Sequence, residues 1–189
     1  MRSRSDEELI QALGNRDENA LRTLVDRHTA SIYRFSVRYT GDESLAQDIS
    51  QEVFLKLYRY ARRFKAGMSF KTWLFSIVRN TSIDMARSYS YRKARSLDAS
   101  NSTDLLESEG QSLVHAAQNP EESYSSKQTA DRVASAVRSL PEKQRMAVIL
   151  KYYEELPTKE IAEVMETTVS SVESLLVRAK RNLIKLLNL

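Results

Sequence analysis

The last fifty residues constrain the fold most, because their apolar spacing predicts three helices separated by tight breaks. Pro141 opens a predicted helix over 141–153, and a short one follows over 158–165. After a break at 166–168, a longer helix begins with small polar side chains in its first turns, and Thr168 is predicted to be its N-cap. This order is typical of a helix-turn-helix, whose second helix fits the major groove of DNA. A plain helical hairpin is the alternative that the pattern leaves open.

The remainder of the chain also favours helices. Only 4 glycines and 3 prolines occur in 189 residues, and apolar residues recur at the helical period over most of residues 6–85. Asp6, Asp17 and Asp42 are predicted to begin successive helices as N-caps, and Gly14 and Gly41 to end two of them. We therefore predict an all-α protein with an N-terminal helical bundle and a C-terminal helix-turn-helix domain.

Charge divides the chain into three parts. Residues 1–95 hold 18 basic and 11 acidic residues, a net charge of +7, whereas residues 96–130 hold 1 and 6, a net charge of −5. Residues 131–189 hold 10 and 8, a net charge of +2. The middle part is rich in serine and acidic residues, so we predict a flexible acidic linker over 96–130 between domains 1–95 and 131–189. The basic first part suits a polyanion such as DNA.

Several classes of protein do not fit the sequence. There is no cysteine for disulfides or thiolate metal sites. No apolar run approaches the roughly 20 residues that cross a bilayer, and the N-terminus lacks the apolar core of a signal peptide. His28 and His115 are isolated, and no glycine-rich phosphate loop is present. We expect a cytoplasmic protein with no catalytic residues, metal, cofactor or membrane insertion of its own.

Two N-terminal stretches carry more information than amphipathic spacing. They are DESLAQDISQEVFLKLY over 42–58 and FKTWLFSIVRNTSID over 70–84. Together they closely resemble region two of the bacterial extracytoplasmic-function (ECF) sigma factors, and the chain from Leu140 onward resembles region four. The likeness covers nearly everything except the linker.

The resemblance implies a non-catalytic transcription initiation factor. Members of that family bind core RNA polymerase and direct it to promoters, and the polymerase performs the chemistry. The implied partners are the β′ clamp helices and the β flap of the polymerase, promoter DNA, and an anti-sigma factor that holds the protein inactive.

The helix after Asp42 presents a second face that mixes acidic, amide and aliphatic side chains. From spacing alone this face is more simply a solvated surface. By resemblance it docks onto the β′ clamp helices, and an aliphatic centre with a charged rim suits a protein interface. The predicted polymerase-binding residues are Asp48, Gln51, Glu52 and Leu55.

The predicted helical segment over 70–95 combines aromatic, amide and basic residues, which suit unpaired bases and phosphates. Periodicity favours Phe70 and Trp73 as core residues rather than stacking surfaces. By resemblance, this helix and the loop over 65–69 recognise and melt the minus-ten element. The predicted DNA-binding residues are Arg62, Arg63, Lys65, Lys71, Arg79, Asn80 and Asp84.

In the helix-turn-helix over 158–181, the last helix is expected to recognise the minus-thirty-five element by resemblance. Its predicted DNA-binding residues are Ser170, Ser171, Glu173, Ser174, Arg178, Lys180 and Arg181. The sequence departs from the common family pattern at three positions. Many members have a basic residue at the positions of Glu173 and Leu175, and glycine near Glu166.

Two other classes of function remain at this point. A stand-alone helix-turn-helix regulator would bind duplex DNA without polymerase, usually as a symmetric dimer, but it leaves the aromatic and basic helix unexplained. An enzyme or a protein-binding adaptor would need a pocket that the motifs do not predict.

Overall fold

A computed structural model describes residues 4–65, 67–99 and 120–188, with the backbone alone for 96–99 and 120–127. The described residues form helices and no strands, which confirms the predicted all-α fold. The helices are α1 (Asp6–Gly14), α2 (Glu18–Thr40), α3 (Glu43–Tyr60), α4 (Phe70–Ala99), α5 (Pro120–Arg138), α6 (Glu142–Val148), α7 (Thr158–Val164) and α8 (Val169–Leu187). A 3-10 turn, Ala61–Arg63, follows α3, and a π-helical turn, Ile149–Tyr153, continues α6.

Side-chain caps begin the N-terminal helices. Asp17 accepts from the N–H groups of Asn19 and Ala20, and Asp42 accepts from that of Leu45, as predicted. The predicted Asp6 cap is wrong by one residue. Ser5 caps α1 instead. Its hydroxyl accepts from the N–H of Glu8, and the Glu8 carboxylate accepts from the N–H of Ser5, so the pair satisfies two free N–H groups.

Helix α2 ends at a glycine, as predicted. Gly41 has φ 76°, a left-handed conformation in which a side chain is strained, and its N–H donates to Val37 O. This sharp end turns the chain directly into α3, so α2 and α3 pack side by side. Helix α4 then lies across both, and α1 closes the end of the bundle.

The N-terminal core joins all four helices through fully buried apolar side chains. They include Ile10, Leu24, Ile32, Phe35, Ile49, Leu57, Leu74 and Phe75. Tyr60, which the apolar spacing also places on the core stripe of α3, is instead 37% exposed. The chain passes into the 3-10 turn there, and the Arg63 guanidinium lies 4.7 Å from the Tyr60 ring centre.

The C-terminal domain packs α6, α7 and α8 around a smaller core that includes Leu140, Ile149, Leu150, Ile161 and Val164. The predicted helix over 141–153 is present but changes to the wider π-helical turn after Val148. Helices α7 and α8 form the expected helix-turn-helix.

Regular structure enters the predicted linker from both ends. Helix α4 reaches Ala99, and α5 begins at Pro120, so residues 96–99 and 120–130 are helical. The middle of the predicted linker, 100–119, lies outside the described residues, and the domain boundaries stay a prediction.

The two domains contact each other. Helix α7 packs against α4, and α2 contacts both α5 and the π-helical turn. The C-terminal domain therefore lies against the side of the bundle that carries the start of α4. No described helix is both long and apolar enough to span a membrane.

Candidate polymerase and nucleic-acid interfaces

The predicted polymerase-binding residues converge on one surface groove. Asp48, Gln51, Glu52 and Leu55 line an open depression of about 430 Å³ along α3. They meet there because positions three and four apart share one face of a helix. Leu55 is 51% exposed, because it lies on the side of α3 opposite the buried residues. The groove thus combines a half-exposed leucine with two carboxylates and an amide.

Two further residues of the groove were not predicted from the sequence. Lys56 and Met85 also line it, and Lys56 Nζ lies 3.1 Å from Thr81 Oγ1. Met85 comes from α4, thirty residues away from Leu55 along the chain, so no spacing within one helix could indicate it. The lysine and the methionine join α3 and α4 into one surface.

Six of the seven residues predicted to bind minus-ten DNA are exposed. They are Arg62, Arg63, Lys65, Lys71, Asn80 and Asp84. Arg62 Nε donates to Gly14 O at 3.1 Å, which ties the turn after α3 to the end of α1. The loop that follows contains Met68, an apolar side chain that is 38% exposed. These residues come from the turn after α3, the loop before α4 and α4 itself.

Lys71 and Arg79 contact the C-terminal domain. Lys71 Nζ donates to the backbone oxygen of Glu154, and Arg79 Nη1 lies 3.4 Å from Glu166 Oε1. Arg79 also donates to Asn80 Oδ1 at 3.0 Å. These two cations therefore already have partners within the same chain.

Phe70 and Trp73 lie in the core, as predicted. Phe70 is 1% exposed, and Trp73 is partly buried against it and against Phe64. The Phe64 and Trp73 rings meet edge-on with centres 5.5 Å apart. His28 is also packed there, with its ring 5.2 Å from that of Phe70 and its Nε2 2.8 Å from Asp6 Oδ2. This aromatic cluster positions the start of α4.

The start of α8 is open to solvent. Thr168 caps the helix, as predicted, by accepting from Ser171 N–H at 3.1 Å. Of the polar residues predicted to contact bases, Ser170, Glu173 and Ser174 are exposed and Ser171 is half-buried. The predicted backbone contacts Arg178, Lys180 and Arg181 are exposed further along the helix.

Two apolar residues of α8 lie outside the set predicted to contact DNA. Leu175 is 8% exposed, so it packs in the helix-turn-helix core and leaves no place there for a basic side chain toward DNA. Val177 is 52% exposed and lies seven residues after Ser170, on the same face as Glu173 and Ser174. An exposed valine on this face suits a thymine methyl group. The seven-residue spacing between Ser170 and Val177 could have placed Val177 on this face from the sequence alone.

Val169 is also 41% exposed, although the apolar spacing of α8 places it on the core stripe. It is the first residue of the helix.

Comparison with known proteins agrees with this architecture. Residues 24–92 match Sigma-70 region 2, and residues 130–183 match Sigma-70, region 4. The chain is 32% identical over 182 residues to the ECF RNA polymerase sigma-E factor of Escherichia coli K12, which covers 93% of this chain and 91% of that one. It is 30% identical over 184 residues to the RNA polymerase sigma-H factor of Pseudomonas aeruginosa, covering 96% and 93%. The chain belongs to the ECF sigma factor family.

Further similarities extend over the whole chain. The ECF sigma factor SigW of Bacillus subtilis is 29% identical over 180 residues, covering 93% of each chain. Among solved structures, CnrH in complex with the cytosolic domain of CnrY has a TM-score of 0.70 at 21% identity, covering 97% of each chain. The sigma factor RpoE, in complex with the anti-sigma factor NepR from Bartonella quintana, has a TM-score of 0.66 at 20% identity, covering 89% and 96%. These structures show a shared fold.

Membership decides the class of function. This sigma factor is a non-catalytic initiation subunit that binds core RNA polymerase and directs it to promoter DNA. A stand-alone regulator, an enzyme and an adaptor are therefore set aside.

Proposed function

We propose that the groove along α3 is the surface by which this sigma factor docks on the β′ clamp helices of core polymerase. The observation that carries the proposal is the convergence of Asp48, Gln51, Glu52 and Leu55 on one exposed groove. A half-exposed leucine beside two carboxylates suits a protein partner and repels DNA. The β flap is proposed to contact the C-terminal domain.

Charge reversal in the groove tests this docking. We expect Glu52→Arg to abolish co-elution with core polymerase in size-exclusion chromatography, because the groove loses its acidic complementarity. Leu55→Ala is expected to weaken the complex by about tenfold, the effect of truncating a central apolar contact.

The matched control is Asp26→Arg, which reverses an exposed acid on α2 of the same domain, outside the groove. It should co-elute like the unaltered protein. If Glu52→Arg binds core as tightly as Asp26→Arg does, the docking surface lies elsewhere.

The proposed DNA contacts lie on two surfaces, one in each domain. The proposed minus-ten contacts are Arg62, Arg63, Lys65, Lys71, Arg79, Asn80 and Asp84, and the proposed minus-thirty-five contacts lie on the exposed face of α8. Exposed cations beside a loop with an exposed methionine suit a single strand being captured, and the cationic share of binding should weaken as salt rises.

We further propose that an anti-sigma factor controls the protein, and that it acts in the cytoplasm with its polymerase. The support is that two proteins of the same fold, CnrH and RpoE, are solved in complexes, the second with a named anti-sigma factor. A protein that co-purifies with this chain from its own cells should prevent assembly with core polymerase when added in stoichiometric amount. Unimpaired assembly would count against this control.

A further inference from the structure

Helix α1 contacts the chain on both sides of the loop over 65–69, which we call the minus-ten loop. Before the loop, Arg62 Nε donates to the backbone oxygen of Gly14, the last residue of α1. After the loop, the N–H of Phe70, the first residue of α4, donates to Glu7 Oε1 at 3.1 Å. One short helix, which precedes the residues that match Sigma-70 region 2, thus holds the chain at both ends of the loop.

Glu7 acts as a cap for α4, although it belongs to another helix. The first N–H groups of a helix have no partner within that helix. Ser69 Oγ accepts from the N–H of Thr72 at 3.3 Å, and Glu7 accepts from that of Phe70. A carboxylate is a strong acceptor at this place, because its charge also favours the positive end of the helix. The start of α4 therefore has one cap from its own chain segment and one from α1.

The backbone of Glu7 is held by contacts that do not involve the loop. The carboxylate of Asp6, the preceding residue, accepts from Arg27 Nη1 at 2.6 Å and lies 2.8 Å from His28 Nε2, which joins the first turn of α1 to α2. Ile10, three residues after Glu7, is fully buried in the core. Glu7 therefore reaches α4 from a position that is anchored on both sides.

The minus-ten loop contains a tight turn of its own. The N–H of Met68 donates to Lys65 O at 3.2 Å, and Gly67 has φ 86°, a conformation that favours glycine. The turn carries two exposed side chains, Lys65 and Met68. Its hydrogen bond shapes the turn, whereas the position of the turn relative to α4 depends on where the two ends of the loop are held.

Helix α1 gives these two anchor points a constant separation. Glu7 and Gly14 are seven residues apart, which corresponds to about 10 Å along a helix axis. A hydrogen-bonded helix is stiffer than a loop, so α1 keeps the turn after α3 and the start of α4 at this spacing.

We infer that α1 is a brace for the minus-ten loop, and that Glu7 is a positioning residue for recognition of the minus-ten element. The inference rests on the minus-ten role proposed for this loop and α4. It goes beyond that role, because Glu7 lies outside the residues assigned to DNA. Hydrogen bonds to bases weaken steeply when donor and acceptor are misaligned. Loss of the brace should therefore reduce discrimination between minus-ten sequences rather than binding to polymerase.

The test compares variants of the full chain assembled with core polymerase. Glu7→Ala removes the acceptor for Phe70 N–H, whereas Glu7→Gln keeps a side-chain oxygen that can accept the same hydrogen bond. Glu18→Ala is the matched control, since it removes one carboxylate from the exposed start of α2 in the same domain. Asn80→Ala alters a proposed direct contact with minus-ten DNA.

Promoters are first selected from random duplex DNA by the holoenzyme that contains the unaltered protein. Two libraries are made from one selected promoter, one randomised in the minus-ten element and one in the minus-thirty-five element. Transcription from each library measures how strongly the holoenzyme prefers one sequence over another. A variant that is only less stable gives fewer active molecules but the same preferences, so this readout separates positioning from folding.

We expect Glu7→Ala to lower the preference among minus-ten sequences by about tenfold, the worth of one base contact, and to leave the minus-thirty-five preference unchanged. Glu7→Gln should recover most of the minus-ten preference, and Glu18→Ala should behave like the unaltered protein.

The two proposals fail in different ways. If Asn80→Ala loses minus-ten preference and Glu7→Ala keeps it, the brace is overturned and the minus-ten role of α4 stands. If both variants keep it, the minus-ten role fails and the brace fails with it. Equal losses of preference in the two libraries, or an equal loss in Glu18→Ala, also overturn the brace.

Discussion

Glu166 occupies a strained position in the turn between α7 and α8. Its φ is 52°, and the N–H groups of Glu166 and Thr167 donate to Glu163 O and Ala162 O, the pattern of a Schellman motif. Glycine is the usual residue at this place because it carries no Cβ. The sequence therefore departs from the turn's preferred chemistry at a residue that also pairs with Arg79.

The cost of this conformation can be measured. We expect Glu166→Gly to be more stable than Glu166→Ala by about 1 kcal/mol, because both lose the carboxylate but only glycine accepts positive φ without strain. Urea unfolding of the two variants gives the difference directly. Equal stabilities would show that the turn is not strained.

Glu173 is the residue of α8 whose charge is least expected beside DNA. It is exposed on the first turns, next to Ser170 and Ser174. A carboxylate is repelled by phosphates but accepts from a cytosine amino group. We expect Glu173→Lys to change relative promoter use by roughly tenfold, the worth of one base contact, without loss of core binding.

Transcription by the assembled holoenzyme from a library of minus-thirty-five sequences measures this preference. Glu163→Lys is the control, since it makes the same charge change on exposed α7. If the two variants shift promoter use alike, Glu173 does not recognise a base.

At the scale of elements, Asp42 joins two helices. It caps α3 through Leu45 N–H at 2.8 Å, and it accepts a hydrogen bond from Tyr89 of α4, which raises the pKa of that phenol. One carboxylate thus caps α3 and contacts α4. These two helices form the groove proposed for polymerase.

Removal of this cap should loosen both helices. We expect Asp42→Ala to lower the free energy of unfolding by about 1 kcal/mol, whereas Asp42→Asn keeps the cap and should cost less. Thermal unfolding followed by circular dichroism compares them. Tyr89→Phe removes only the bond between helices. A loss in Tyr89→Phe as large as that in Asp42→Ala would assign the effect to the contact rather than the cap.

At the scale of the whole molecule, Tyr39 lies where the domains meet. Burial, with the nearby Glu142 carboxylate, raises the pKa of Tyr39 above its ordinary value of 10.0. A raised pKa means that the unfolded chain loses this proton first as pH rises. The stabilisation by neutral Tyr39 is therefore complete below pH 10.0 and is lost as pH climbs toward the folded-state pKa.

This linkage predicts a difference between two proteins. The free energy of unfolding should fall more steeply above pH 10.0 in the unaltered protein than in Tyr39→Phe, which has no phenol to ionise at this place. Urea unfolding between pH 8 and 11 measures both slopes, and the other tyrosines contribute equally to each. Parallel slopes would show that Tyr39 is not the group responsible.

The sequence by itself determined the helices and most of their ends. Asp17, Asp42 and Thr168 cap helices as predicted, because capping depends on a side chain and an N–H group two or three residues away. The sequence also indicated the all-α class and the family. Local spacing also placed Asp48, Gln51, Glu52 and Leu55 on one face, because residues three and four apart lie on the same side of a helix.

Tertiary structure decided everything that depends on residues far apart in the chain. Met85 joins the groove from another helix, Tyr60 turns outward where the chain leaves α3, and Leu175 is buried by the helices it packs on. The engagement of Lys71 by Glu154, 83 residues later, has no trace in the spacing of either segment. Periodicity describes which face of a helix is apolar, but only the folded chain shows which polar faces meet.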